Sequence, residues 1–332
     1  MSAWYQRLVW MATILALFVV VLGAYVRLSD AGLGCPDWPG CYGVLIPTDI
    51  ESDIASKNWP ERPVEAGKAW REMVHRYVAA TLGFIIVLIA WIAWSNRREP
   101  GQPVKVPLLT LGVVIFQGLL GMWTVTLLLK PVIVMGHLLG GLATLGLLFW
   151  LLLEDARGTN LAVGITRRIA WPAVIALLVL VCQIALGGWV SSNYAALACP
   201  DLPACLNQWW PAEADFSEGF VMWRGLGIDY EFGILEAPAR VAIHFAHRLG
   251  ALVATAVLLI IIFGLWSKQT SGPSMHAACM AVWAALAGQI GLGIATVWFG
   301  LPLAVATAHN GVAAVLLLSV INLNHVACRT TR

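Results

Sequence analysis

Eight runs of apolar residues dominate this chain, at about 8–27, 73–95, 106–128, 132–153, 169–191, 241–266, 276–299 and 303–325. Each has the length a helix needs to cross a bilayer. In hydrocarbon every backbone N–H and C=O must be satisfied within the protein, so such runs fold as helices. The sequence is 60% hydrophobic and 11% charged. That excludes a soluble globular domain and any disordered or nucleic-acid-binding class. The first run follows Arg7 as a signal-peptide core would, but it is longer than such a core and pairs with the fifth run in the repeat described next. It is expected to stay as a span.

The chain contains one unit twice. Residues 22–41 read LGAYVRLSDAGLGCPDWPGC and residues 186–205 read LGGWVSSNYAALACPDLPAC, aligned without a gap at an offset of 164. Further on the offset becomes 172 and carries Gln117, Thr124 and Val125 onto Gln289, Thr296 and Val297. It also carries His75 onto His247 and His137 onto His309. A duplication kept for packing alone would preserve apolar periodicity and little else, so repeated Cys and His positions point to duplicated chemistry. The expected fold class is all-α integral membrane, with two tandem four-helix bundles related by a pseudo-two-fold axis along the membrane normal. The halves are expected at 1–155 and 156–332.

Loop charges set the expected orientation. Segments 96–105 and 154–168 each carry three Lys or Arg, and Arg7, Lys268, Arg329 and Arg332 fall on the same side. The long loops, about 28–72 and 192–240, each hold at least seven acidic residues and fewer basic ones. The positive-inside rule then puts both termini in the cytoplasm and both long loops outside a bacterial plasma membrane. Trp38, Trp59, Trp70, Trp209, Trp210 and Trp223 lie in or beside those loops and read as interfacial anchors.

With this topology His75, His137, His247 and His309 all fall within about two turns of the outer start of their helices. Ionisable residues inside spans are costly and by default functional. Two histidines on separate helices of a four-helix bundle can take the two axial positions of a haem iron. The pairs are His75 with His137 and His247 with His309. Zinc would want a third or fourth ligand at short spacing, and covalent attachment would want Cys-x-x-Cys-His; neither pattern is present. Two non-covalent haems, one per half, is the expected arrangement. His276 and His325 have no histidine counterpart and read as interfacial residues. Gln117 and Gln289 read as interhelical hydrogen-bonding residues near mid-membrane.

The repeat breaks one turn before the first histidine of each half. Half one reads Glu72-Met-Val-His75-Arg76 and half two reads His244-Phe-Ala-His247-Arg248. Positions i and i+3 share a helix face, which sets Glu72 beside the haem of half one. A carboxylate there is expensive unless paired or used, so the asymmetry favours one chemical site and one supporting site. Arg76 and Arg248 are expected to reach toward haem propionates or lipid phosphate. Cys35–Cys41 and Cys199–Cys205 can each close a tight loop in an oxidising compartment, as structural disulfides or as redox-active pairs. Cys182, Cys279 and Cys328 read as packing residues.

The eight-helix 4+4 repeat, Glu72-x-x-His75-Arg76, His137, the pair His247 and His309, and the CPDWPGC loop together resemble the haem A synthase family (CtaA/Cox15), over about residues 8–325. The resemblance implies oxidation of the C8 methyl of haem O to a formyl group, by two hydroxylations and a dehydration, for cytochrome oxidase biogenesis. It implies the substrate haem between His75 and His137, a haem b cofactor between His247 and His309, Glu72 as catalytic carboxylate and Cys35–Cys41 as a pair associated with activity. It further implies an electron acceptor and a complex with the upstream protohaem farnesyltransferase (haem O synthase), and it allows a homo-oligomer. The second pair, Cys199–Cys205, departs from members with a single pair. The competing readings are a two-haem b-type electron-transfer protein and a haem carrier or chaperone. Neither needs a buried carboxylate on one side only.

Overall fold

The computed structural model describes residues 3–155, 170–267 and 272–330. Within them the chain forms α1 (Ala3–Leu28), α2 (Ser52–Asn58), α3 (Ala66–Ser95), α4 (Lys105–Thr126), α5 (Pro131–Asp155), α6 (Trp171–Ser192), α7 (Phe216–Gly219), α8 (Ala237–Trp266), α9 (Pro273–Trp298) and α10 (Leu303–Thr330). All but α2 and α7 are long and apolar enough to cross a membrane, which gives eight candidate spans among the described residues. The expected domain boundary borders residues 156–169, which lie outside the described residues, as do Arg157, Arg167, Arg168, Lys268, Arg332 and the side chain of Arg329.

Several helices start earlier than the apolar runs suggest, among them the two that follow the long loops. α3 begins at Ala66 rather than 73, and α8 at Ala237 rather than 241. Apolarity marks residence in hydrocarbon, while helicity continues through polar turns whose side chains have partners. Lys68 and Arg71 occupy that added turn, with Lys68 Nζ 2.8 Å from Glu65 Oε1 and Arg71 Nε on the Gly67 carbonyl.

α1 packs on α3 and α5, α3 on α4, and α4 on α5, closing one ring. α6 packs on α8 and α10, α8 on α9, and α9 on α10, closing a second. The rings meet where α1 touches α10, α5 touches α6 and α5 touches α10. One apolar core runs through both near the chain-terminal ends of the helices, joining Tyr5, Leu145, Leu148 and Leu151 to Leu258, Leu316, Val320 and Leu323. Toward the long loops the packing loosens. In α5, Leu142, Leu145, Leu148 and Leu151 are buried, whereas every residue from 132 to 141 keeps partial exposure. Each ring is tight at one end and open at the other, and the paired histidines sit in the open end.

Helix ends repeat as the sequence does. Leu128 and Leu129 take left-handed conformations after α4, and Gly300 and Leu301 do so after α9. Their N–H groups close the same turns, Leu129 on Thr124 and Leu301 on Thr296.

The shift in repeat offset from 164 to 172 corresponds to eight extra residues between Cys205 and His244. They enlarge a segment of loop two that crosses to the first ring. Arg62 pairs with both Asp229 and Glu231, and the Tyr230 N–H donates to the Leu128 carbonyl at 3.0 Å. Lys130, 2% exposed, donates to the carbonyls of Arg224 at 2.6 Å and Gly225 at 2.9 Å and lies 3.7 Å from the centre of the Trp223 ring. Lys130 is itself buried and donates to two carbonyls, and hydrogen bonds from a charged donor are worth about 1.5–3 kcal/mol each, whereas a part-exposed ion pair contributes about 0–1 kcal/mol. Lys130→Met is therefore expected to lower the thermal unfolding midpoint of the detergent-solubilised protein more than Arg62→Met does. Equal midpoints for the two variants would count against this ordering.

Candidate functional site

Each CPDxPxC box folds into a closed loop, and the motif residues explain how. Cys35–Cys41 and Cys199–Cys205 are joined as disulfides with Cα–Cα distances of 4.7 Å. After the second cysteine the chain reverses through two left-handed residues, Tyr42 and Gly43 in one loop and Leu206 and Asn207 in the other. Cys41 bridges Val44 and Cys205 bridges Gln208 across these turns. The turns leave two N–H groups that the motif aspartate accepts. Asp37 takes those of Tyr42 (2.6 Å) and Gly43 (2.9 Å), and Asp201 takes those of Leu206 (2.8 Å) and Asn207 (2.7 Å). The Asn207 N–H above all, with Leu206 and the Arg248 charge, holds the Asp201 carboxyl below its ordinary range.

A guanidinium docks each loop on a helix. Arg76 Nη1 donates to the carbonyls of Asp37 (3.0 Å), Pro39 (3.3 Å) and Gly40 (2.5 Å). Arg248 donates to those of Cys199 (2.6 Å), Asp201 (2.8 Å) and Ala204 (2.7 Å). This corrects the sequence expectation for both arginines. They are committed to loop carbonyls rather than extended toward propionate or lipid phosphate, because the converging carbonyls of a tight loop are a nearer set of acceptors.

Glu72 is buried, accepting the Cys35 N–H at 2.8 Å on Oε2 and Arg76 Nη2 at 2.5 Å on Oε1. His244 occupies the same place in half two. Its Nδ1 accepts the Cys199 N–H at 3.2 Å, and its Nε2 lies 3.2 Å from Arg248 Nε. Carboxylate and imidazole thus make the same two contacts, to the first cysteine's N–H and to the arginine one turn on.

The four paired histidines share a further device, absent from the sequence reading. Each ring lies against a glycine of a neighbouring helix. A Cβ at Gly23 would come within 3.0 Å of His75 Cε1, at Gly187 within 3.2 Å of His247, at Gly121 within 3.4 Å of His137, and at Gly293 within 3.1 Å of His309. The signal was available, since Gly23 and Gly187 keep the offset of 164 and Gly121 and Gly293 that of 172. Nδ1 of His75, His137 and His309 is buried without a hydrogen-bond partner. The expected interhelical role of the glutamines is borne out, at the level of the histidines. Gln117 Nε2 donates to the His137 carbonyl at 2.7 Å, and Gln289 Nε2 lies 3.3 Å from His309 Nε2.

Other expectations are revised. His325 is buried, edge-on to Trp150 at 5.2 Å, rather than interfacial, while His276 lies against Trp266 at 4.4 Å. Cys279 packs in the core as expected, but Cys182 is exposed on α6. Trp59 and Trp210 brace the loops themselves, against Tyr42 and against Phe216 and Phe245, whereas Trp209 is 80% exposed.

No three His, Cys, Asp or Glu converge as a metal-ion site among the described residues. Two imidazoles carried on different helices of one ring, each seated against a glycine, are a donor set that would suit a haem. His75 with His137 and His247 with His309 fit that group.

These features define a polytopic membrane protein whose two disulfide-closed loops are each docked on a histidine-bearing helix. The chain belongs to the COX15-CtaA family, described as cytochrome oxidase assembly protein, whose model matches residues 6–321. A Shewanella oneidensis protein named heme A synthase is 42% identical over 326 residues, covering 96% of each chain. The heme A synthase of Rhizorhabdus wittichii is 28% identical, covering 95% of this chain and 91% of its own. That of Halalkalibacterium halodurans is 26% identical, covering 90% and 88% respectively.

Overpacking a tight contact costs about 1–3 kcal/mol. Gly187→Ala and Gly293→Ala are expected to lower the haem content of the purified protein, read by pyridine haemochrome. Gly83→Ala and Gly264→Ala, where a methyl group meets nothing within 4 Å, should leave it unchanged.

Proposed function

We propose that this chain is a haem A synthase, oxidising the C8 methyl group of haem O to a formyl group in a bacterial plasma membrane. The observation that carries the reading is the near full-length match to proteins of that name, joined to two histidine pairs of which only one has a buried carboxylate one turn away. The halves act as pseudo-two-fold-related bundles. In support, Arg27 Nη2 donates at 2.7 Å to the carbonyl of Ser191, its own counterpart at the 164 offset, as residues beside a two-fold axis do. The charge distribution supports cytoplasmic termini and long loops outside.

In this reading haem O binds between His75 and His137 in the N-terminal half, and haem b between His247 and His309 in the C-terminal half. Bound haem b supplies one-electron relay. Methyl to formyl is a four-electron oxidation, run as two hydroxylations followed by loss of water from the gem-diol. Two water molecules supply the oxygens of the gem-diol, one of them leaving again, so that four electrons and four protons pass to an acceptor beyond this chain, and the upstream protohaem farnesyltransferase delivers the substrate. Glu72 is the residue placed to take a proton or to stabilise positive charge at the methyl carbon. Arg76 and the Cys35 N–H occupy one position on each of its oxygens, and each oxygen keeps a second acceptor position. Cys35–Cys41 closes the loop that this carboxylate holds.

One observation favours a second role for Glu72: His244 makes equivalent contacts in the other half, so the carboxylate also positions the cysteine loop. Two substitutions separate the roles. Cells carrying Glu72→Ala are expected to accumulate haem O and lose haem A, read by haem extraction and chromatography. Glu72→His restores the half-two contacts without a carboxylate. Continued loss of haem A in that variant assigns chemistry to the carboxylate, and restored haem A leaves it a positioning role. Extraction of haem B alone from the native protein would instead favour an electron-transfer protein.

A further inference from the structure

Arg76 and Arg248 are committed to loop carbonyls, so they do not supply the positive charge that haem propionates call for. Lys130 is taken by the carbonyls of Arg224 and Gly225, and Arg62 by Asp229 and Glu231. Among the described residues two guanidinium nitrogens are buried without a hydrogen-bond partner, Arg27 Nε and Arg240 Nε. Arg27 is otherwise engaged, with Nη2 on the Ser191 carbonyl at 2.7 Å and Cζ 4.1 Å from the centre of the Tyr194 ring. The half-buried Arg240 side chain has neither a hydrogen bond nor an ion pair among the described residues.

Arg240 stands seven residues before His247 on α8. Seven residues make two turns, so the two share a helix face, with Arg240 about 10 Å nearer the long-loop end. A haem held by His247 carries both propionates on one edge of its macrocycle, at a distance from iron of the same order. The helix itself does not explain the arginine. Arg240 is the fourth residue of α8, where the macrodipole favours an anion and opposes a cation. A guanidinium cannot shed its proton, so a buried N–H of this kind is costly until an acceptor meets it. The repeat keeps a cation at this position, since Lys68 is the counterpart at the 172 offset, but Lys68 Nζ lies 2.8 Å from Glu65 and is thereby paired.

We infer that Arg240 binds a propionate of the haem ligated by His247. Axial histidines set where the iron lies and leave the macrocycle free to turn about their common line. A guanidinium takes a carboxylate through two parallel hydrogen bonds, which fix direction as well as distance. The inference rests on the assignment of haem b to the C-terminal half, and it gives that cofactor an orientation, propionates toward the long loops.

The test follows haem release rather than turnover. Purified protein carrying its haems is mixed with excess apomyoglobin, and the haem transferred over time is identified by chromatography. Arg240→Gln is expected to release haem B about tenfold faster, the equivalent of one charge-assisted hydrogen bond. Arg240→Lys, which keeps the charge without the fork, should fall between. A loosened fold would also speed release, so a second arm changes the ligand. Protein emptied by apomyoglobin is refilled with haem B or with haem B dimethyl ester, in which both carboxylates are blocked, and release is timed again. Native protein should release the ester about tenfold faster than haem B, and Arg240→Gln should lose that preference, because one interaction cannot be removed twice. Native protein that holds the ester as firmly as haem B overturns the inference, even where Arg240→Gln fails to assemble. So does an Arg240→Gln protein that still prefers haem B over its ester by the native factor; both results leave the site assignment standing. Faster loss of haem O or haem A instead of haem B from Arg240→Gln keeps the propionate contact and overturns the assignment of haem b to the C-terminal half.

Discussion

The architecture at the histidine end depends on a guanidinium placed one residue after the first histidine of each half. Arg76 and Arg248 each gather carbonyl oxygens from a seven-residue disulfide loop and bind it to the helix that presents the ligand. Hydrogen bonds from a charged donor are worth about 1.5–3 kcal/mol each, roughly twice those between neutral groups. A loop tied this way makes the N-terminal turns of α3 and α8 part of a rigid cap. The motif aspartates do the complementary work, accepting N–H groups on the far side of the same turns. Without either anchor the loop would be closed by its disulfide but not oriented.

Orientation matters because the bundles are open where the histidines lie. Most of the apolar core is gathered at the opposite end, so rigidity at the histidine end comes from polar contacts in the loops and from ring-on-glycine seating. Openness leaves room for a large planar ligand, and the cap and seats keep the imidazoles aimed despite it. The same division of labour accounts for the level of Gln117, Gln183 and Gln289, each of which reaches a histidine.

Much of this was legible in the sequence, and the remainder was hidden for definable reasons. Apolar length gave the spans, and fixed offsets gave both disulfides. The early start of α3 was missed because charge lowers hydropathy without breaking a helix. The arginine contacts were missed because reach from a helix can be read from sequence, whereas the position of a folded loop's carbonyls cannot. Gly23, Gly121, Gly187 and Gly293 repeat as faithfully as the histidines, but glycine is common in spans and carries no chemistry of its own. Gln183, whose Nε2 lies 3.1 Å from His247 Nδ1, escaped notice for the opposite reason, since its counterpart at the 164 offset is Val19 and the repeat gives no signal there.

The segment of loop two that crosses onto the first ring bears on how such a chain arises. Two identical units can associate through a symmetric interface and separate again. Once loop two, longer by eight residues than loop one, supplies Asp229, Glu231 and the carbonyls over Lys130, it completes the first half with parts that half does not itself possess. Neither half can then be replaced by a copy of its sibling. The strap is a ratchet that turns a reversible pairing into a fixed division, and within that division the two histidine sites are free to diverge.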